Sequence, residues 1–442
     1  MYFCICIKLN KRKRMIHRII LLLTAIFTLM TASAMPYYDK SPKADKSARQ
    51  QERKALKQMR QDMETVKDKV KQGKELDKME ALVRKHLSDS ANHDNLDLRL
   101  LLTEVLKKAY EIGNEKAYLR EKLDTTCLML TGRRLFLACE SLDSLDMQPN
   151  SKGVSAPSYR KKNADYLMPY RKNLLSGALF FYEKAQWEDA WQNAKAYLGC
   201  RKQPLFSVHT LDSQQDAYAA YLAFMTAYNQ KNLSRMEEVS EEAMTYGDST
   251  GTTSRSKVGQ MVLQLLSEVS LKDLNASKYI GYIKRGFEND PHSNYFFPRV
   301  IDYYVAQNQL DEALKYAVEA MESDSTNTLF LLARHSVLMS MKRYDDALRY
   351  GLQLLGMDDS VPEPNYNCGV IYYQKALKAL KQRGKTLRQR TMEAQELFRQ
   401  CLPYMERFRK LSPKDKVLWK PVLYDVYLNL NMGQEFAEIE KL

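Results

Sequence analysis

Two stretches of this 442-residue chain, LDEALKYAVEAMESD at 310–324 and YDDALRYGLQLLGMD at 344–358, repeat each other 34 residues apart. Asp311 matches Asp345, Ala313 matches Ala347, Leu314 matches Leu348, Tyr316 matches Tyr350 and Asp324 matches Asp358. The same step back from Asp324 and Tyr316 meets Asp290 and Tyr282, and forward from Leu338 it meets Tyr372. Few architectures accept a fixed period of this length, because each repeat must be one supersecondary unit stacked on copies of itself. Each period reads as an apolar helix such as FFPRVIDYYVAQ (296–307), a short turn (NQ or KR), and a second helix opening on Asp, read as an N-terminal cap. Ala313, Ala320, Ala347 and Gly351 let paired helices approach closely, with Tyr304 and Tyr344 expected to fill the gaps. One pair cannot bury its apolar face alone, so the pairs must stack into a continuous core.

A period of 34 with these residue types resembles the tetratricopeptide repeat, a helix-turn-helix unit. The resemblance implies an all-α fold, a tetratricopeptide-type α-solenoid of helix hairpins forming a right-handed superhelix with a concave face. Strict register runs from about 260 to 361, in units beginning near Gln260, Asn294 and Thr328. A fourth unit from Pro362 keeps Tyr372 but delays its Ala to Ala394, where 381 is expected, so 13 residues are inserted and are predicted to lengthen both helices. The expected organisation is a leader over 1–34, a charged segment and capping helix over 35–75, and degenerate helical repeats over 76–259 with a loop near 147–160. Tetratricopeptide repeats with an insertion near 375–390 and a C-terminal cap follow over 260–442, for seven or eight hairpins in all. The capping helix is read from Leu56, Met59, Met63, Val66 and Val70, which alternate steps of three and four. Only 16 Gly and 13 Pro punctuate the chain, as long packed helices require.

The first 34 residues read as a secretory signal peptide. Lys11, Arg12, Lys13, Arg14 and Arg18 precede the apolar run IILLLTAIFTLM, and Ala32-Ser33-Ala34 offers a small-residue cleavage site. The run is shorter than the roughly 20 residues a spanning helix needs. Met15 is an alternative start to Met1. Removing the leader takes six Lys and Arg and no acid from 68 basic residues, leaving 62 against 54 acidic ones, an excess of +8. That bias suits an acidic partner or a membrane surface and does not call for nucleic acid. The expected location is the periplasm or the envelope. Cys127, Cys139, Cys200, Cys368 and Cys401 are odd in number and lack a C-x-x-C pair, so buried free thiols are expected.

Catalytic signals are thin. GDSTG at 247–251 matches G-x-S-x-G, but a nucleophilic Ser249 needs a strand leading in and a helix leading out. The flanks SRMEEVSEEAMTY and TTSRSKVGQMVLQLLSEV both read as helix, with Gly247 at a helix C-terminal cap. His86, Asp89, His93 and Asp94 match no metal-ligand spacing, and no phosphate-binding Gly loop occurs. The chain is therefore read as a non-enzyme with no cofactor and no metal.

In tetratricopeptide arrays the first helix of each unit lines the concave surface. Carried over by register, this implies a peptide-binding groove of Glu268, Leu271 and Lys272, then Tyr295, Asp302 and Val305. Leu332, Ser336 and Met339 follow, then Tyr366, Val370 and Tyr373. The Lys and Asn constellation that clamps a C-terminal carboxylate in some members is missing. A second candidate lies in 147–173, the longest stretch without helical periodicity, where Tyr159, Arg160, Lys161, Lys162, Tyr166, Tyr170, Arg171 and Lys172 mix cations with aromatics. This block resembles Tyr-, Arg- and Lys-rich blocks in secreted repeat proteins of Bacteroidota. A third is the acid-free run of Lys375, Lys378, Lys381, Arg383, Lys385, Arg388 and Arg390. The expected function is an exported protein-protein interaction scaffold that holds a peptide or protein segment in the groove; the alternative is an envelope-surface or glycan-binding module acting through 147–173.

Overall fold

The computed structural model describes residues 50, 54–55, 57–58, 60–61, 65, 69–90, 92–149, 153, 155–211, 215–247 and 257–441. The leader, Ser249 and the seam side chains Leu56, Met59, Met63, Val66 and Val70 lie outside what is described. Among the described residues there is no strand, and eighteen α-helices follow one another. They are α1 Lys69–Leu87, α2 Leu96–Tyr118, α3 Thr125–Asp146, α4 Arg160–Leu167, α5 Arg171–Glu183, α6 Trp187–Gly199, α7 Asp216–Asn229, α8 Leu233–Ala243 and α9 Lys257–Lys272. Then come α10 Ala276–Asn289, α11 Phe296–Ala306, α12 Leu310–Ser323, α13 Thr328–Ser340, α14 Tyr344–Met357, α15 Pro362–Leu380, α16 Leu387–Leu411, α17 Lys416–Asn429 and α18 Gly433–Lys441. The contacts divide the chain into two units, Met1–Val105 and Leu106–Leu442.

In the first unit α1 buries Leu76, Met79 and Val83, spaced three and four apart along one face. Arg84, Lys85 and His86 in its last turn oppose the negative end of the helix dipole. The opening of α2 is capped by Asn95, whose Oδ1 accepts from Leu98 N at 3.1 Å, and it buries Leu98, Leu101, Leu102 and Val105.

The second unit is an α-solenoid of tetratricopeptide-type hairpins. From α5 onward the helices pair as α5/α6, α7/α8, α9/α10, α11/α12, α13/α14, α15/α16 and α17/α18. First helices also pack on the next first helix, as α5 on α7, α11 on α13, α13 on α15 and α15 on α17. The second helices α10, α12 and α14 begin at Ala276, Leu310 and Tyr344, reproducing the 34-residue step.

One turn closes six of these seven hairpins. Ala185, Lys231, Leu274, Asn308, Lys342 and Asn431, and Arg120 after α2, sit in the left-handed region at φ 55 to 60°. In each case the next residue's N–H reaches back five positions at 2.8–3.0 Å, as Gln309 to Tyr304 O and Arg343 to Leu338 O. This is the Schellman closure, which satisfies carbonyls a helix end would leave open. The partner helix restarts immediately, so its N-cap is Gln309 or Arg343 without a side-chain bond. Asp311 and Asp345 are therefore not caps, as the sequence suggested. They fall in the first helical turn, where the positive end of the dipole favours acids.

The expected close approach is present: Ala313, Ala320 and Ala347 are fully buried, and a Cβ on Gly351 would stand 2.6 Å from Cys368 Sγ and 2.8 Å from His335 Cε1. Tyr304 fills its gap, stacked on Tyr316 at 5.4 Å. Tyr344 does not; as the first residue of α14 it turns outward and is 44% exposed. The inserted residues extend α15 and α16 to 19 and 25 residues, against 13 and 14 in the preceding pair. Their turn uses Gly384 at φ +86°, and α16 starts on a Thr386–Gln389 capping box.

His335 locks three helices. Its Nδ1–H donates to Ala347 O on α14 at 2.8 Å, leaving Nε2 to accept from Asn367 Nδ2 on α15 at 3.1 Å. Burial holds the imidazole below its usual 6.5, against the upward pull of Ala347 O and Glu363. The unfolded chain takes up a proton below about pH 6.5 that the folded chain refuses. Stability is thus complete above that pH and falls as pH drops toward the depressed native value.

Two outcomes follow from this packing. Lys342→Gly removes the steric cost of a side chain in the left-handed region and raises the urea midpoint by the equivalent of up to about 1 kcal/mol, whereas Asn308→Gly gains less because Asn tolerates that region. The urea midpoint of the natural protein falls between pH 7.5 and 5.5, and His335→Gln flattens that dependence; a profile unchanged by the substitution contradicts the assignment.

Candidate functional site

A cleft of about 300 Å³ lies along the first helices α11 and α13 and reaches the start of α15. Its apolar walls include Ile301 and Val305 from α11 and Leu329, Leu332 and Ala333 from α13. Its polar edge is Asp302, Ser336, Ser340 and Glu363, with the Ser336 hydroxyl donating to Glu363 Oε1. The 3.6-residue period explains the composition. Val300 and Phe330 point inward and are fully buried, so the flanking positions are left to the cleft, where Phe297 and Val337 form its buried base. Burial pushes the Asp302 carboxyl above its ordinary range, opposed by the charge of nearby Arg299. An aliphatic floor with an acidic rim suits an apolar side chain accompanied by a cation or an N–H donor.

Of the residues placed in the groove by register, Asp302, Val305, Leu332 and Ser336 line this cleft together. The aromatic ones are engaged in packing. Tyr295 shares a hydrogen bond with Ser267 at 2.9 Å and lies under the Arg299 guanidinium at 3.7 Å. Met339 packs against the core formed by Leu338 and Ala347. Tyr366 meets Phe408 at 5.0 Å between ring centres, and Tyr373 donates to Asp425 Oδ2 while packing on Phe398. Val370 is half-buried on α15. On α9, Glu268 accepts from Gln264 at 3.0 Å, while Leu271 and Lys272 are exposed. Glu363 was missed by register. Its one signal is its place beside Pro362, in the first turn of a helix opening onto the preceding unit.

The basic candidate divides into two kinds of residue. Its anticipated irregular stretch contains α4, a 3-10 turn at Met168–Tyr170 and the start of α5. Eight residues cannot hold a helix by propensity, so α4 depends on docking: Ala164 and Leu167 are fully buried, and Tyr159 N–H donates to Asp146 Oδ2 at 2.9 Å. Arg160 grips Asp143 through two bonds of 2.8 Å, which raises the guanidinium pKa further. Arg171 is 4% exposed; it stacks on Tyr197 at 3.9 Å and donates to Asp216 Oδ1 at 2.8 Å, while Arg201 holds Asp216 Oδ2 at 3.1 Å. These two arginines are internal struts, not surface cations. Lys161, Lys162 and Lys172 remain exposed. In the insertion Lys375 pairs with Asp345 and Lys385 with Glu393.

Cys139, Cys200, Cys368 and Cys401 are buried free thiols, each pushed up to about 12 by burial, and Cys127 is exposed. At that pKa the four buried thiols carry almost no thiolate at neutral pH. Gly247 lies past the end of α8, at φ +74°. Among the described residues no three His, Cys, Asp or Glu side chains gather as metal ligands, and no helix is long and apolar enough to cross a membrane.

Compared by sequence, the chain matches no protein-family model, and no curated protein matches it. Solved structures similar to it include the C-terminal part of a TPR repeat-containing protein from Cytophaga hutchinsonii, at 12% identity and TM-score 0.36, covering 60% of this chain and 92% of that one. MamA AMB-1 is similar at 13% identity and TM-score 0.29, covering 45% and 92%. Yeast Tom70 is similar at 11% and 0.25, covering 88% and 95%.

Removing the guanidinium at position 171 strands most of a buried carboxylate. Arg171→Ala costs about 3 kcal/mol in chemical denaturation, the low end for a broken buried pair because Arg201 still holds Asp216. The exposed double variant Lys161→Ala/Lys162→Ala stays within about 0.5 kcal/mol of the natural protein.

Proposed function

We propose that this protein is an interaction scaffold that seats an extended or helical segment of a partner in the cleft between α11 and α13. The observation carrying this reading is the aliphatic floor with its Asp302 and Glu363 rim, built on rigid packed helices. Rigid walls limit the entropy lost on binding, so a modest cleft can hold a peptide with useful affinity. The segment that fits has one or two aliphatic anchors next to a Lys or Arg. The leader supports export, with the periplasm or the envelope as the working location. The surface-binding alternative through 147–173 is less favoured, because Arg160 and Arg171 are consumed by Asp143 and Asp216.

Selection of peptides from a random library on the purified mature chain tests this. Recovered peptides carry an aliphatic residue beside a cation, and their Kd rises at least tenfold with Leu332→Asp and with Asp302→Lys, by analogy with loss of a hot-spot contact. Both positions are on the cleft surface, so circular dichroism and melting stay unchanged. Peptides that bind both variants as tightly as the natural protein place the interaction elsewhere.

A further inference from the structure

The lengthened hairpin α15/α16 runs past its neighbours on both sides. Gln395 Nε2 donates at 3.1 Å to the O of Asn429, the last residue of α17, so the α17/α18 turn lies level with Gln395. On the other side Lys375 pairs at 2.6 Å with Asp345, in the first turn of α14. Residues 376–394 therefore form a tip beyond the flanking hairpins, and the stretch Leu387–Ala394 of α16 alone spans about 12 Å at about 1.5 Å per residue. Every residue from 381 to 389 is exposed.

Two features of the tip are not explained by packing. Leu387 stands in the row that continues seven, eleven and fourteen residues on as Ala394, Phe398 and Cys401, all buried, yet it is 72% exposed. Arg390 donates to Leu380 O at 3.3 Å, which puts Leu387 almost a turn beyond the end of α15. Met392, farther round the same helix, is 61% exposed. The second feature is charge: residues 376–394 hold six Lys and Arg against one acid, Glu393, which Lys385 already takes. Lys381, Arg383 and Arg388 are exposed and are in no ion pair among the described residues.

We infer that this tip docks on an anionic lipid bilayer. A lipid interface takes both features at once, since Lys and Arg heads meet headgroup phosphates while Leu387 and Met392 pass below them. A convex tip offers no groove to a peptide, and a nucleic-acid backbone engages the cations but leaves both apolar chains in water. Two apolar side chains are too few to hold the protein by themselves, so the contact depends on charge and weakens with salt.

Co-sedimentation of the purified mature chain with vesicles tests this. Vesicles of phosphatidylglycerol and phosphatidylcholine in equal parts are expected to retain the protein about tenfold or more better than phosphatidylcholine alone. Lys381→Glu/Arg383→Glu/Arg388→Glu is expected to weaken retention by about tenfold or more, and Leu387→Ser/Met392→Ser by about threefold or more. All five side chains are exposed, so melting stays unchanged. In Leu387→Trp the added indole emission, read as the difference from the natural protein, is expected to move to shorter wavelength on the anionic vesicles. No preference for the anionic vesicles, or equal retention of either multiple variant, overturns the inference. So does binding to a DNA duplex or to polyglutamate without binding to vesicles, which assigns the tip to a soluble polyanion.

Discussion

The hairpin turn sets the geometry on which the rest of the second unit depends. A residue forced to φ 55–60°, followed by an N–H that reaches back five positions, ends one helix and starts its partner within two or three residues. That fixes how the two helices of a pair meet, and pairs of one geometry stack in one way. The conformation is adopted by Ala, Lys, Leu, Asn and Arg without glycine, so the hydrogen bonds and the packing on either side must outweigh the steric cost. Where the pair is lengthened, at α15 and α16, the device is replaced by a glycine turn and a capping box, and the helices run on past their neighbours.

Stacking then determines what the surfaces can offer. Inward positions of first helices are taken by Val300, Phe330 and other fully buried residues, and the cleft inherits the next positions round the helix. A groove of this kind is a by-product of periodic packing, rigid because every wall residue sits on a helix clamped by the one before and the one after. The buried polar groups serve the same clamping. His335 bridges α13, α14 and α15, and Asp216 joins Arg171 to Arg201 across the longer connection at 200–215.

Much of this could be read in the residues. Period, helix pairing, the small residues at close approach, four of the five thiols and the lengthened fourth unit are local or nearest-neighbour features, and one repeat checks the next; Cys127, expected to be buried, is exposed. Single side chains were harder to read. Asp311 and Asp345 resembled caps because they precede apolar runs, yet the Schellman turn starts the helix earlier. Tyr344 looked like a filler by composition, but it stands at a helix start. Tyr295, Tyr366 and Tyr373 carry the register of a groove; their rings reach Ser267, Phe408 and the Asp425 carboxylate, contacts made by residues 28 to 52 positions away. Arg160 and Arg171 belong by sequence to a run of cations, and only the positions of Asp143 and Asp216 distinguish them from Lys161 and Lys162.

The amino-acid order alone pointed to an all-α array of hairpins, since helices with one apolar face, repeated every 34 residues, leave water by stacking on their neighbours. Tertiary structure decided which members of each face are wall and which are surface. That choice depends on distant partners: a carboxylate that turns a cation inward, and a ring that claims a tyrosine. Such pairings carry no periodic signature, because their energy comes from burial and charge at points where separate repeats meet.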